Sequence, residues 1–261
     1  ADPNVAFEGA SWALLVGAMP RTPTMKERID LLEANGKIFG PQGRAIAAHA
    51  AADVRILVVG NPCNTNCLIA RANAPEVPDD RWFAMTRLDE NRAKAQLANK
   101  AGVPVAHVTN LAIWGNHSAT QFPDAWHARI GGRPAPEVIA DDAWLGDAFI
   151  ARVQQRGNEI LAARKVSSAG SAANAIIDSV RAIHAGTPPG DWSSLAVVSK
   201  GEYGVPAGLV CSYPVASAGG SWQVVEGIEH DAEARRRITA SKDELVKERE
   251  QVQSLGLLPT N

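Results

Sequence analysis

Two short apolar runs restrict this chain more than any other feature, because each ends at a turn and each is followed by a helical stretch. "WALLV" (12–16) is cut by Gly17 and Pro20, and "VRILVVG" (54–60) is cut by "NPCNTN". A strand covered on both faces is continuously apolar rather than alternating, so both runs are expected to be buried strands. Between them, "MKERIDLLEANGKIFGPQGRAIAAHAAAD" sets Ile29, Leu32, Ile38 and Ile46 among polar residues. That pattern predicts one long or broken helix, whose continuity Gly36, Gly40 and Gly43 weaken. "TNCLIARANA" predicts the next helix, with Pro75 and Pro78 beyond its end. Strand, helix, strand, helix implies a parallel sheet covered by helices.

From about residue 82 the pattern changes. "LDENRAKAQLANKAG" opens with acidic residues and closes at Gly102, as a helix dipole and a glycine C-cap prefer. "RIGGRP" places Gly131-Gly132 at a two-residue hairpin turn. Leu145, Phe149, Val153 and Ile160 share one helix face, and "SAGSAANAIIDSVRAIH" carries the small residues that suit close packing. Strand-like runs follow at "LAVVS" and "GLVCSYPV". The last stretch spaces Ile238, Leu245 and Val252 as heptads, with Asp243 four residues before Lys247. The expected organisation is α/β: a parallel sheet covered by helices over residues 1–81, then an α+β domain over 82–261.

At 261 residues, with 46% hydrophobic and 21% charged residues, the composition is that of an ordinary globular protein. A net charge of -2 supplies no global basic field, which argues against nucleic acid or an anionic membrane as partner. No apolar run reaches the roughly 18 residues of a membrane span. Cys63, Cys67 and Cys211 are too few and too scattered for a disulfide framework, and the Cys63/Cys67 spacing is not a zinc knuckle. They are expected to be small buried hydrophobes, reduced, in a cytoplasmic setting, and no metal site is expected. The opening "ADPNVAFEGA" is not a signal peptide.

Three stretches combine ionisable side chains with turn or strand-end signals. The loop after the first strand holds Arg21 and Arg28; "TRLDENRAK" puts Asp89 and Arg92 three apart on a helix start; "IWGNHS" puts His117 in a turn beside Gly115 and Asn116. Each has a structural alternative: a solvated arginine, a carboxylate at a helix N-terminus, an asparagine such as Asn61 shaping a turn. His49, His107, His127, His184 and His230 lack a comparable context. Together, however, the three stretches form one chemical unit. A carboxylate on one imidazole nitrogen fixes the tautomer and leaves the other nitrogen for acid–base work. Arginines offer forked donors matched to carboxylates. An Asp–His pair with three arginines suits proton and hydride transfer on an anionic hydroxy or keto acid.

At these same residues the sequence resembles NAD-dependent malate dehydrogenase, of the branch that includes cytosolic enzymes. "LVGAMPR", "GKIFGPQG", "VVGNPCNTN", "MTRLDENRAKAQLA", "WGNHS" and "SSAGSAANA" carry the likeness, which runs almost end to end. The resemblance implies a Rossmann domain before an α+β catalytic domain, NAD as cofactor, a dicarboxylate substrate and a homodimer. It makes His117 the proton acceptor, Asp89 its orienting carboxylate and Arg92 the clamp on the carboxylate beside the reacting carbon. Arg28 would polarise the carbonyl oxygen, Arg21 would meet the second carboxylate, and Asn61 would contact substrate near the nicotinamide. Asn35, Gln42 and the backbone of Val59, Gly60 and Asn61 would contact the cofactor. The arginine loop would be a lid whose closure on a dicarboxylate discriminates against lactate by about 10⁴-fold.

Two departures stand out. "RTPTMKER" holds one residue more than the family's spacing, around Lys26, and no G-x-G-x-x-G phosphate turn occurs. Residue 1 matches a point inside the family's first domain, so the expectation is that an N-terminal part of the protein precedes it. The alternatives are a truncated, non-catalytic relative and a related 2-hydroxyacid dehydrogenase.

Overall fold

The computed structural model describes residues 2–20, 28–165 and 167–259. It divides into two compact units, residues 1–85 with 196–211 and 242–261, and residues 86–195 with 212–241. The first unit thus draws in two stretches that the sequence reading assigns to the second domain.

The first unit begins with a short helix, α1 (Pro3–Phe7), then β1 (Trp12–Leu15), α2 (Arg28–His49), β2 (Arg55–Val58), α3 (Cys63–Ala72) and β3 (Trp82–Met85). β1 pairs with β2, and β2 with β3, all parallel, as the alternating strands and helices require. The core of this unit joins Ala13 and Leu15 of β1 to Leu32, Phe39 and Ile46 of α2, Ile56 and Val58 of β2, Cys67 and Ile69 of α3, and Trp82. All three cysteines are free and buried, as expected, and burial pushes the Cys67 thiol far up.

The expectation of full cover for "WALLV" is corrected. Ala13 and Leu15 are buried, but Leu14 and Val16 are 44% and 53% exposed. β1 lies at one end of the strand order. A continuously apolar run therefore marks a strand here without marking two covered faces. The turn predicted at "NPCNTN" is likewise shorter: α3 starts at Cys63, straight after Pro62, and its Asn64, Thr65 and Asn66 are buried.

The glycines that weakened the prediction for α2 do not break it. A Cβ on Gly43 would stand 2.1 Å from the Ala70 carbonyl oxygen, and one on Gly36 would overlap Leu257. These glycines are the places where α2 lies closest to its neighbours. At Gly40 a Cβ would meet only ordinary contacts, the nearest at 3.5 Å.

The second unit opens with α4 (Arg87–Ala101), which ends at Gly102 with φ 67°, the predicted left-handed cap. β4 (Val108–Thr109), β7 (Arg129–Ile130) and β8 (Arg133–Pro134) form a small antiparallel sheet. Gly131 and Gly132, both at positive φ, make the predicted hairpin turn between β7 and β8. β5 (Ala112–Trp114) and β6 (Phe122–Asp124) form a separate two-stranded ribbon. α5 (Ala135–Ile139), α6 (Phe149–Arg164) and α7 (Gly170–Ala185) pack against α4. Leu145, Phe149 and Val153 are buried as their shared face predicts.

β9 (Ser193–Val198) and β10 (Val210–Ala218) each contribute residues to both units, and β11 (Ser221–Val224) pairs antiparallel with β10. The last helix, α8 (Ala232–Ser254), buries Ile238, Leu245 and Val252, the predicted heptad residues. Asp243 pairs with Lys242 at 3.6 Å.

The close approach at Gly43 separates two substitutions that sequence alone treats alike. Gly43→Ala drives a methyl into backbone and is expected to destabilise by about 1–3 kcal/mol. Gly40→Ala reduces unfolded-state entropy without a clash and is expected to stabilise by about 0.4–1 kcal/mol. Urea denaturation of the two variants checks both signs.

Candidate active site

The structure brings three of the predicted residues together in the second unit. Asp89 lies in the first turn of α4, its side chain fully buried. One carboxylate oxygen, Oδ2, makes a short hydrogen bond with Nδ1 of His117. The other, Oδ1, accepts from Arg92 at 3.4 Å, one helical turn along α4. A buried carboxylate is costly unless it is paired, and here a cation and an imidazole divide its two oxygens.

Arg92 is only 14% exposed, yet its hydrogen bonds are long: 3.4 Å to Asp89 and 3.5 Å to Ser168 Oγ. Its Nε is buried with no hydrogen-bond partner among the described residues. A guanidinium whose donors are this weakly used retains capacity for a forked contact with an incoming carboxylate.

His117 follows β5 through Gly115 and Asn116, and the turn is held from two sides. Gly115 exchanges backbone hydrogen bonds with Ser212, and the Asn116 amide donates to Ser241 Oγ at 2.8 Å. Gly115 has φ 91°, and a Cβ there would stand 2.1 Å from Ser241 Oγ. Glycine is therefore required by both conformation and space. Thr86, Ser212 and the Ile113 carbonyl form a further buried chain, with Thr86 Oγ1 2.7 Å from Ser212 Oγ and Ser212 donating to Ile113. Ser212 and Ser241 escaped sequence reasoning, since a serine in an ordinary strand or helix carries no local signal of the turn it will support.

Glu90, next to Asp89, fixes the start of α4. Its buried carboxylate pairs with Lys94 at 2.8 Å and Arg87 at 3.1 Å, and accepts the Ser194 amide at 2.6 Å. Adjacent acids thus face different tasks, Asp89 toward His117 and Glu90 toward β9.

The remaining predicted residues belong to the first unit. Arg21 lies outside the described residues; Arg28 is the first residue of α2, and its side chain is outside them too. Asn35 is fully buried, with Oδ1 accepting the Met19 amide at 2.9 Å and Nδ2 donating to the carbonyls of Leu31 and Met19. Both ends of its amide are engaged by backbone. The amides of Val59 and Gly60 both donate to the Leu15 carbonyl, and the Gly60 carbonyl accepts from buried Asn66. A Cβ on Gly60 would press on Ala18 and Phe39. Asn61 is exposed at the carboxyl end of β2, and Gln42 buries Oε1 without a partner among the described residues.

A second titratable cluster, which the sequence reading did not foresee, joins Asp124, His127 and His230. Burial alone would raise the Asp124 carboxyl, but hydrogen bonds from His127 and His230 outweigh it and hold it at about 2. The hydrogen bond with Asp124 raises His127.

Removing the charge of Glu90 while keeping its size leaves Arg87 and Lys94 facing a neutral amide. Glu90→Gln is expected to cost about 3–5 kcal/mol of stability, as breaking buried pairs does. A chemical-denaturation midpoint compared with that of the parent chain measures it.

Comparison with known proteins then places this geometry. Residues 1–83 match the model of the lactate/malate dehydrogenase NAD binding domain, and residues 86–255 match that of the lactate/malate dehydrogenase alpha/beta C-terminal domain. A malate dehydrogenase from Naegleria fowleri is 44% identical with a TM-score of 0.92; the match covers 97% of this chain and 77% of that one. A lactate dehydrogenase from Trichomonas vaginalis, in complex with NADH and oxamate, is 32% identical with a TM-score of 0.91. That match covers 99% of this chain and 79% of the other. A malate dehydrogenase from Salinibacter ruber is 25% identical, with a TM-score of 0.82, over 95% of this chain and 76% of that one.

Proposed function

Since this chain belongs to the lactate/malate dehydrogenase family, we propose that it is a malate dehydrogenase, interconverting malate and oxaloacetate with NAD. The observation that carries the proposal is the buried Asp89 carboxylate shared between His117 and a weakly bonded Arg92. Greater identity to a malate dehydrogenase than to a lactate dehydrogenase supports the choice of substrate.

In this reading Arg92 receives the carboxylate beside the reacting carbon through donors it barely uses otherwise. Asp89 holds Nδ1 of His117, so Nε2 takes the hydroxyl proton of malate as the adjacent C–H bond breaks. The imidazolium that forms is stabilised by the carboxylate behind it. NAD, when bound, supplies the hydride acceptor. Arg21 is assigned to the second carboxylate, and Arg28 to the developing carbonyl oxygen.

In this reading the dinucleotide lies at the carboxyl ends of the first unit's parallel strands, where doubly wound sheets bind such ligands. Asn61 is exposed there, and the orphaned acceptor on Gln42 suits a ligand hydroxyl or amide donor. The backbone of Val59 and Gly60 is the contact surface of that strand end, and Asn35 contributes by pinning Met19. The same reading takes the enzyme as a cytoplasmic homodimer. Three buried, free cysteines support a reducing compartment, and the dimer rests on the family resemblance.

Oxaloacetate-dependent oxidation of NADH, with pyruvate in parallel, tests the assignment. Oxaloacetate is expected to be preferred by about 10⁴-fold in kcat/KM, as a desolvated arginine left without its carboxylate would enforce. His117→Asn is expected to lower kcat by about 10²–10⁴-fold. A preference for pyruvate would overturn malate as substrate and favour the lactate reading.

A further inference from the structure

Two segments far apart in sequence converge on one point in the second unit. Asp124 ends β6, His127 lies in the turn that follows, and His230 sits in the extended stretch before α8. Their ligand atoms all lie within 4.8 Å of one another. Asp124 Oδ2 is 2.6 Å from Nδ1 of His127 and 3.7 Å from Nε2 of His230. None of the three belongs to the Asp89–His117–Arg92 group.

We propose that Asp124, His127 and His230 form a binding site for a divalent transition cation of the zinc class.

Donor chemistry supports this choice. Two imidazoles and one carboxylate are the protein ligands of open zinc sites, where a water completes a four-coordinate shell. With metal–ligand bonds of about 2.0–2.1 Å, tetrahedral neighbours stand about 3.3 Å apart. The observed 2.6 and 3.7 Å straddle that value, and all three ligand atoms lie within 4.8 Å of one another, so side-chain adjustment without rearrangement of the backbone is what the geometry asks for. A calcium or magnesium ion, which takes oxygen ligands, does not fit two imidazoles.

The surroundings orient the ligands as metal sites require. The Trp126 amide donates to Asp124 Oδ1 at 3.0 Å, and Trp114 Nε1 donates to Oδ2 at 3.3 Å. The His230 ring stands edge-on to Trp114, with centroids 4.7 Å apart, and His127 also hydrogen-bonds the backbone of Glu229. Access is available too. The Asp124 and His230 side chains are 2% and 5% exposed, but His127 is 32% exposed and borders a cavity of about 290 Å³. Asp231 and Glu229 also line that cavity and add negative charge, while its one lining arginine, Arg237, is already paired with Glu233 at 2.7 Å. The bound ion would pin the segment before α8 to the β5–β6 ribbon.

Titration of the EDTA-treated, dialysed chain with ZnCl₂ by calorimetry, and with CoCl₂ by visible ligand-field absorption, tests the site. One equivalent of Zn²⁺ is expected to bind, and Co²⁺ is expected to give the absorption of a low-coordinate nitrogen–oxygen shell. His230→Asn, close in shape to the parent, and His127→Ala are each expected to weaken binding by about 10–100-fold or more. Zinc is also expected to raise the thermal midpoint of the parent chain but not of His230→Asn. The absence of stoichiometric binding by the parent, or equal binding by a variant that keeps the parent's circular dichroism, would overturn the proposal. Neither readout depends on dehydrogenase activity.

Discussion

A single buried carboxylate sets the requirements for the second unit. Asp89 has no solvent to stabilise its charge, so it needs partners on both oxygens, and Arg92 and His117 supply them. That need fixes the register of α4, because Arg92 reaches Asp89 only from one turn along the same helix. It also fixes where the turn after β5 must deliver His117. The neighbouring Glu90 then holds the helix start against β9 through Arg87, Lys94 and the Ser194 amide. Asp89 and Arg92 are thereby carried by a helix whose own position is over-determined, a more exact support than a loop provides.

The first unit solves its polar burial without charges at the corresponding places. Asn35, Asn64 and Asn66 are fully buried, and each donates to a backbone carbonyl: Leu31 and Met19, Val210, and Gly60. These side chains do the work of secondary-structure ladders where strands give way to loops, satisfying carbonyls that no strand partner reaches. Thr65 is the exception and donates to the buried Glu248 carboxylate of α8. The run "NPCNTN" is thus less a turn than the start of a helix whose polar residues face inward to satisfy the loops around it.

These two settings explain what was legible in the sequence. Periodicity located the long helices, the parallel strands, the Gly131-Gly132 hairpin and the Gly102 cap, because each is encoded within a few residues. The Asp89–Arg92 pair was legible for the same reason: a spacing of three places both on one helix face. What escaped was whatever depends on lateral neighbours. Leu14 and Val16 read as buried because composition records a strand's apolarity, not which of its faces a neighbouring element covers. Gly36 and Gly43 read as weak points because a close approach by Leu257 or the Ala70 carbonyl leaves no local trace. In the group formed by Asp124, His127 and His230 the first two stand three apart, but His230 joins them only through the fold, which leaves no local trace.

The two Asp–His pairs of this unit share their chemistry and differ in what stands beside them. Next to Asp89 is a guanidinium, fixed at about 3.4 Å, whose charge opposes any metal cation and favours an anion. An imidazole placed there can exchange a proton while its carboxylate and an anionic ligand are both balanced by Arg92. Next to Asp124 the third group is another imidazole, which when neutral offers a lone pair instead of a positive charge. Acidic residues border that cavity, and its arginine is turned to Glu233. On the readings proposed above, the same carboxylate–imidazole contact is directed toward proton transfer in one place and toward a cation in the other by the groups that stand beside it.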